Sequence, residues 1–499
     1  MFSNLLRKRS KPAKSLKALP PRFRMEMLET RQMMAGDVAA SVLNGNLYIS
    51  EALGQTGLDN GVRVFQVSPG VVRVMGAENN GDGSVSRVNG QQSQDFMITG
   101  DLNVNLGAGH DRLHLGFDGG ASAPNFNNVN INMAAPELVI AQKTQVAKGG
   151  LGGVGGVFNA PDNDQVFGWG FNARGAVSVN TGVGNDWVFI SNSNIGDGLG
   201  ADNLTINTGA GADTASIKGT TLLGNLRIQT YANVSENDAD TVWMDSALDS
   251  SFNVRPTYVT GDVSVYTGAG NDFLMLGDST DPYFTGLGFM TNGYFQGYLG
   301  AGDDVVDVSA AKFGNGPAHW SNLLLYTGAG ADDVTVDFDS SLIAIGDPMP
   351  EINGSLIIQT YDSLAETDAD KVTIPIGQIG FATYIWLGGG DDQFSLTAGN
   401  WGSYVIVDAG AGNDTGFAAG FLYETAEIRM GEGNDNMTLA HLRAKKLTLD
   451  GGNGVDRLTR TSPSAVDQLF QSGWEYINGR PTWLDDLVFD SNIAVMARR

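Results

Sequence analysis

Apolar residues spaced two apart recur along most of this chain, in pairs that flank a short glycine-bearing turn. In the stretch DVSVYTGAGNDFLML the pairs are Val263 and Val265 before the turn, then Leu274 and Leu276 after it. In NLLLYTGAGADDVTV they are Leu323 and Leu325, then Val334 and Val336. A period of 2 is that of a strand with one buried face, so each unit reads as strand, tight turn, strand. Helix is excluded for these segments.

The units align on one acid, which closes the turn: Asp111, Asp186, Asp213, Asp272, Asp304, Asp332, Asp392, Asp414, Asp435 and Asp456. Glycine stands four and two positions before it, and apolar residues stand seven before, two after and four after. Two further units, ending at Asp240 and Asp370, replace the glycine turn by a longer loop. They share QTY and DAD at a separation of 130 residues, which points to duplication of a multi-coil block. A degenerate unit, PDNDQVF, surrounds Asp164.

The intervals between acids shrink to 21 or 22 residues toward the C-terminus. That is too long for a meander of two short strands, and it suits one three-faced coil of a parallel β-helix. Longer intervals are then loops at the other corners. The expected fold is all-β, a single-stranded right-handed parallel β-helix over residues 93–460, with the apolar positions forming interior columns. Coils about 4.8 Å apart would make a rod of roughly 60 to 70 Å. Residues 38–92, with the hairpin signal Asn44-Gly45, are expected to form an N-terminal β cap. Residues 461–499, aromatic and irregular, are expected to cap the other end.

Composition sharpens this picture. Glycine accounts for 68 of 499 residues and proline for only 15, which fits many tight turns rather than a disordered linker. The first 24 residues carry eight basic side chains and no acid, whereas the rest holds 22 basic residues against 55 acids. So acidic a body repels nucleic acid and anionic membrane and attracts cations. No cysteine is present, which rules out disulfides and thiolate metal sites. No run of 18 apolar residues marks a transmembrane helix, and the N-terminus lacks the apolar core of a standard secretory signal.

The repeated acid admits two readings. An aspartate in a turn can accept hydrogen bonds from turn amides with no metal. Stacked in register, however, successive carboxylates about 5 Å apart would repel by about 0.8 kcal/mol in water and about 3 kcal/mol at an effective dielectric of 20. Lys and Arg do not recur at a fixed position near these acids, so a bound cation would be the relief. Calcium suits a set of carboxylate and carbonyl oxygens. Zinc is disfavoured, since His110, His114, His319 and His441 form no ligand spacing, and His110 and His114 read as a surface pair on one strand.

These turns resemble the hemolysin-type RTX nonapeptide, G-G-x-G-x-D-x-U-x, through the two glycines, the acid and the aliphatic two residues beyond it. The first glycine of that motif is kept only at Gly451, and the units do not return every nine residues. The resemblance implies calcium bound between stacked turns along one edge, with the ten aligned aspartates, Asp111 to Asp456, as ligands.

The basic leader, residues 1–37, ends in RFRMEMLETRQMMAGDV. Leu28, Glu29, Arg31, Met33, Met34, Ala35, Gly36 and Asp37 resemble the N-terminal L-E-x-R-x-[LM]-[LM]-A-G-D motif of large planctomycete surface and secreted proteins, with Thr30 in place of the usual proline. What this implies is export or surface sorting. A basic tail that binds nucleic acid or membrane is the alternative reading of the same residues.

Taken together, the residues lead to a non-enzymatic extracellular or cell-surface scaffold or adhesin, stiffened by calcium and meeting surface glycan or envelope components. The rival is a polysaccharide lyase or hydrolase built on the same fold, whose site would sit in the long loops at Asn233–Asp240 and Ser363–Asp370. A third reading is a glycan-binding surface using Trp187, Trp243, Trp386 and Trp401, whose apolar neighbours favour packing instead.

Overall fold

The computed structural model describes residues 36–482 apart from 79–84, 117–122, 135–162, 278–286, 315–319, 338–350, 422–423, 462–464 and a few single positions. The leader, with all of its motif except Gly36 and Asp37, and the C-terminal residues from 483 lie outside the described residues, as does Trp401.

The described chain is a parallel β-helix with three strands per coil. One face is made of the strands before the turn, such as Val263–Ala269, which pairs in parallel with Leu226–Gln229 on one side and Phe295–Ala301 on the other. The second face is made of the strands after it, such as Phe273–Leu276 between Thr241–Asp245 and Val305–Ser309. A third face consists of short strands, among them Thr257–Val259, Phe289–Thr291 and Ala311–Phe313. Each residue sits over its repeat equivalent: Val265 pairs with Gly297, and Leu274 with Val306.

The predicted interior columns are buried. Val265, Leu274, Leu276, Leu325, Val334 and Val336 are all 0% exposed, and the core runs unbroken along the coils. At two column positions that are glycine, a neighbouring ring takes the space. A Cβ at Gly168 would lie 2.7 Å from the Phe171 ring, and one at Gly416 would lie 2.3 Å from that of Phe394. Phe289, Phe295 and Phe313 pack with centroids 5.9 to 6.0 Å apart inside the third corner.

The turn glycines are dictated by the stacking. Gly300 has φ +109°, and a Cβ there would stand 1.4 Å from the carbonyl oxygen of Gly268 in the coil before. Gly302, with φ +139°, would place its Cβ 2.0 Å from the Gly270 carbonyl. Only glycine tolerates both the conformation and the approach.

At the N-terminal end, Val38–Leu43 and Asn46–Glu51 form an antiparallel hairpin across Asn44-Gly45, whose φ values are +51° and +83°. Gly61–Ser68, Val71–Gly76 and Ser93–Met97 form an antiparallel trio. The first parallel pairings are Asn46–Glu51 with Leu102–Asn105 and Gly61–Ser68 with Arg112–Gly116, so the hairpins supply the template for the first coil. At the other end, parallel pairing continues past residue 460: Ala465–Ser472 pairs with Asn436–Asp450, and Tyr476–Ile477 with Arg457–Arg460. A hairpin between Tyr476–Ile477 and Arg480–Pro481 ends the described chain. The irregular sequence after Thr459 therefore still makes a coil, because main-chain pairing asks less of side chains than a filled interior does.

Candidate functional site: a ladder of buried aspartates

The turn places its acid where the strand of the next face begins, with the carboxyl turned into the edge of the coil. Asp111, Asp186, Asp213, Asp272, Asp304, Asp332, Asp392, Asp414, Asp435 and Asp456 are each at most 2% exposed. The main-chain N–H of one donates to Oδ1 of the next, coil after coil. The chain of bonds runs from Asn60 to Asp111, then through Asp164, Asp186, Asp213, Asp240, Asp272, Asp304 and Asp332. It continues through Asp370, Asp392, Asp414 and Asp435 to Asp456, whose own amide donates to Oε2 of Glu475. All bonds lie between 2.7 and 3.0 Å. The aligned aspartates thus stand in one column, joined by the degenerate unit at Asp164 and the two long-loop units.

A second ladder, which sequence reasoning did not single out, runs beside the first in the opposite sense. It uses the residue just before the acid: the amides of Asp303 and Ala331 donate to Oδ1 of Asn271 and Asp303, and those of Asn413, Asn434 and Val455 to Oδ1 of Asp391, Asn413 and Asn434. Its signal was the recurrent Asn or Asp in GND and GDD. His110 belongs here as well: it lies in a turn, not on the strand with His114 as expected, and its Nδ1 accepts from the Asn163 amide at 2.7 Å.

One oxygen of each ladder carboxylate is thereby used. The surroundings of the other are set at one position, five residues before the acid in the glycine-turn units and ten before it in the two long-loop units. In the duplicated units that residue is Thr230 or Thr360, and its hydroxyl donates to Oδ2 of Asp240 or Asp370 at 2.5 Å. Thr208, Thr267 and Thr327 stand likewise beside Asp213, Asp272 and Asp332 and draw those carboxyl pKa values down, without closing a bond of full geometry to Oδ2. Beside Asp111, Asp304, Asp392, Asp414, Asp435 and Asp456 the same position is Leu106, Leu299, Leu387, Ala409, Met430 or Gly451. Their Oδ2 atoms are buried and have no hydrogen-bond partner.

The electrostatic consequence is large. Burial pushes Asp111 and Asp304 up to about 9, Asp392 to about 8, Asp414 to about 7 and Asp435 to about 6, against the amide bonds that lower them. Neighbouring ladder carboxyls add to the rise, as Asp332 and Asp272 do at Asp304. With no partner for Oδ2, the carboxyls raised above 7, those of Asp111, Asp304 and Asp392, keep a proton near pH 7 unless a cation were to replace it.

The donor set fits a hard cation in kind: unshared carboxylate oxygens, repeated turn carbonyls and no thiolate. Among the described residues no group of three or more acidic or histidine side chains gathers as a metal cage would. A cation here would draw on one or two ladder carboxylates and fill its shell from carbonyls and water.

The long loops differ from one another despite the QTY and DAD they share. Gln229 and Gln359 make the same bond, to the carbonyls of Tyr231 and Tyr361. In the first loop Glu236 accepts from the amides of Gly211 and Ala232 at 2.7 and 2.9 Å. In the second, burial and the charge of Asp370 lift Glu366 to about 7. Of the tryptophans, Trp243 lies under the Lys218 ammonium at 3.1 Å and Trp386 stacks on Tyr384 at 5.7 Å, both packing roles, whereas Trp187 is 44% exposed.

No family model and no curated protein matches the chain. Among solved structures it is similar to a hyperactive, Ca2+-dependent, beta-helical antifreeze protein from an Antarctic bacterium, at 19% sequence identity and a TM-score of 0.37, over 67% of this chain and 87% of that one.

Proposed function

We propose that the protein is a non-enzymatic repeat scaffold of the cell surface or extracellular space, whose coils are clamped along one edge by the aspartate ladder and stiffened by calcium. The observation that carries this reading is the row of buried Oδ2 atoms without partners at Asp111, Asp304, Asp392, Asp414, Asp435 and Asp456. A divalent cation shared between adjacent ladder carboxylates satisfies those oxygens and offsets the repulsion between them. Calcium, unlike a proton, would do so above neutral pH.

The scaffold reading draws on what the repeat already uses: its acids are engaged coil by coil in hydrogen bonds that hold the stack together. The surface address rests on the resemblance of the leader, residues 1–37, to a planctomycete sorting motif. Gly36 and Asp37 of that motif are also structural, since the Gly36 amide donates to the Asp59 carbonyl and Asp37 Oδ1 accepts from the Arg87 amide.

Equilibrium calcium binding and thermal melting in calcium and in chelator test the proposal together. Saturable binding of several ions with a rise in melting temperature is the expected result, and superimposable melting curves at pH 8.5 would reject the calcium role. Release of reducing ends from polyuronates by the purified chain would replace the scaffold by an enzyme.

A further inference from the structure

The outward side of the first coils carries a feature that the repeat does not require. Arg63, His114, Phe167 and Phe189 occupy one register column across four successive strands. His114 stacks on Phe167 at 4.9 Å, and Trp187 meets the same ring edge-on at 5.5 Å. Trp169 is 58% exposed, and its register neighbours in the adjacent coils, Gly116 and Ser191, carry no long side chain to lie over it. With Phe65 these rings border a concavity of about 480 Å³. Arg63 and His114 also border an adjoining cavity of the same size, which Arg112 and one carboxylate, Glu78, line as well.

Rings left open to water are costly on a protein of this kind, and here several share one hollow. The charge there runs against the rest of the molecule. The chain carries a formal charge of −25, yet among the described residues the aromatic hollow has no carboxylate in its lining. Arg63 and Arg112 make no ion pair among the described residues, and Arg112 Nε donates instead to Oε1 of Gln165 at 2.8 Å. Burial, and then these two arginines, hold the His114 imidazole down at about 4, so the ring is neutral and serves as a stacking surface.

We propose that this hollow and the cavity adjoining it bind a glycan that carries isolated carboxylate or sulfate groups, with sugar rings against Trp169 and Trp187 in the first and the anionic group on Arg63 and Arg112 at the junction with the second. The apolar C–H face of a pyranose matches an exposed indole, whose area comes at low conformational cost. A guanidinium fork matches a carboxylate or sulfate in two hydrogen bonds. The acidic body disfavours a dense polyanion such as single-stranded nucleic acid, whose bases would stack on the same rings, while two local arginines suffice for one or two acid groups. The proposal gives the scaffold reading a partner and rests on it only for where that partner is met. Calcium binding and glycan binding are measured separately and fail separately.

The test uses the full chain and three hexasaccharides in calorimetric titration at low ionic strength: hyaluronan-derived (carboxylate), κ-carrageenan-derived (sulfate) and agarose-derived (neutral). A dT12 oligonucleotide is the fourth arm. Saturable binding of one or both acidic hexasaccharides, about tenfold tighter than the neutral one, is expected, and which of the two binds identifies the acid group. Trp169→Ala and Trp187→Ala should each weaken that binding by about tenfold. Arg63→Gln with Arg112→Gln should erase the preference over the neutral sugar while leaving the melting temperature unchanged. Equal or absent binding of acidic and neutral sugars overturns the proposal, as does tighter binding of dT12. Trp169 is exposed enough that its replacement leaves folding intact, so an unaltered affinity in Trp169→Ala also counts against it.

Discussion

The main-chain N–H of Asp272 donates to Oδ1 of Asp304 at 2.8 Å, while Oδ2 of Asp304 is buried and has no partner. The two oxygens of one carboxyl therefore have opposite roles: the first holds adjacent coils together and the second destabilises them unless something binds it. Asp304→Asn keeps the first and neutralises the second. Above pH 8 in chelator it should melt no lower than the parent, whereas Asp304→Ala, which orphans the Asp272 amide, should lose about 1 to 3 kcal/mol in urea unfolding.

The pH dependence of the metal-free protein follows from the raised carboxyl values. Asp111 and Asp304 titrate near 9 in the folded chain, against an unfolded value of 3.8. Between those limits the native state holds protons that the unfolded state has released, so stability is fullest below about pH 4 for this contribution and falls as pH rises through about 9. Melting scans in chelator from pH 5 to pH 9 should show a steady decline, and a flat or rising profile would contradict the buried, unpartnered oxygens.

Calcium should act in the opposite direction. On the proposed reading it would bind the ionised carboxylate, so the increase in melting temperature on adding millimolar calcium should be small at pH 5 and grow toward pH 8.5. Scans at both values with magnesium as a control measure this. Magnesium, which prefers to keep its water, should raise the melting point less.

Thr230 and Thr360 occupy equivalent places in the duplicated block, each bonding Oδ2 of its aspartate at 2.5 Å. Replacing either by Val removes the partner and should cost about 1 to 3 kcal/mol by urea unfolding. The reverse change, Leu387→Thr beside Asp392, supplies a hydroxyl where there is none. It should lower the Asp392 pKa from about 8, an effect that carbon-detected NMR titration can follow.

Gly300→Ala would force a side chain into φ +109° and to within 1.4 Å of the Gly268 carbonyl. A loss of about 2 kcal/mol or more in chemical unfolding is expected. A neutral result would mean that the turns are not stacked as closely as the structure has them.

The sequence by itself determined the coil. Apolar residues at fixed distances from each acid, such as Leu274 and Leu276 after Asp272, left one face of each strand to bury, and glycines at −4 and −2 left one way to turn. Intervals of 21 and 22 residues then required three faces. These are local rules, set by alternation and backbone conformation, and they repeat, so they are visible in any single unit. What only the tertiary structure decided is where each acid points and what it meets. Oδ1 of Asp304 is satisfied by an amide 32 residues earlier, and Oδ2 is left bare: Leu299 offers no hydroxyl there, whereas Thr230 and Thr360 bond the Oδ2 of Asp240 and Asp370. The aromatic hollow is of the same kind, since Arg63, His114, Phe167 and Trp187 belong to four separate strands that only stacking brings side by side. A partner that lies a full coil away, in a chain whose coil length varies, leaves no mark at fixed spacing, and only closure of the helix sets the two together.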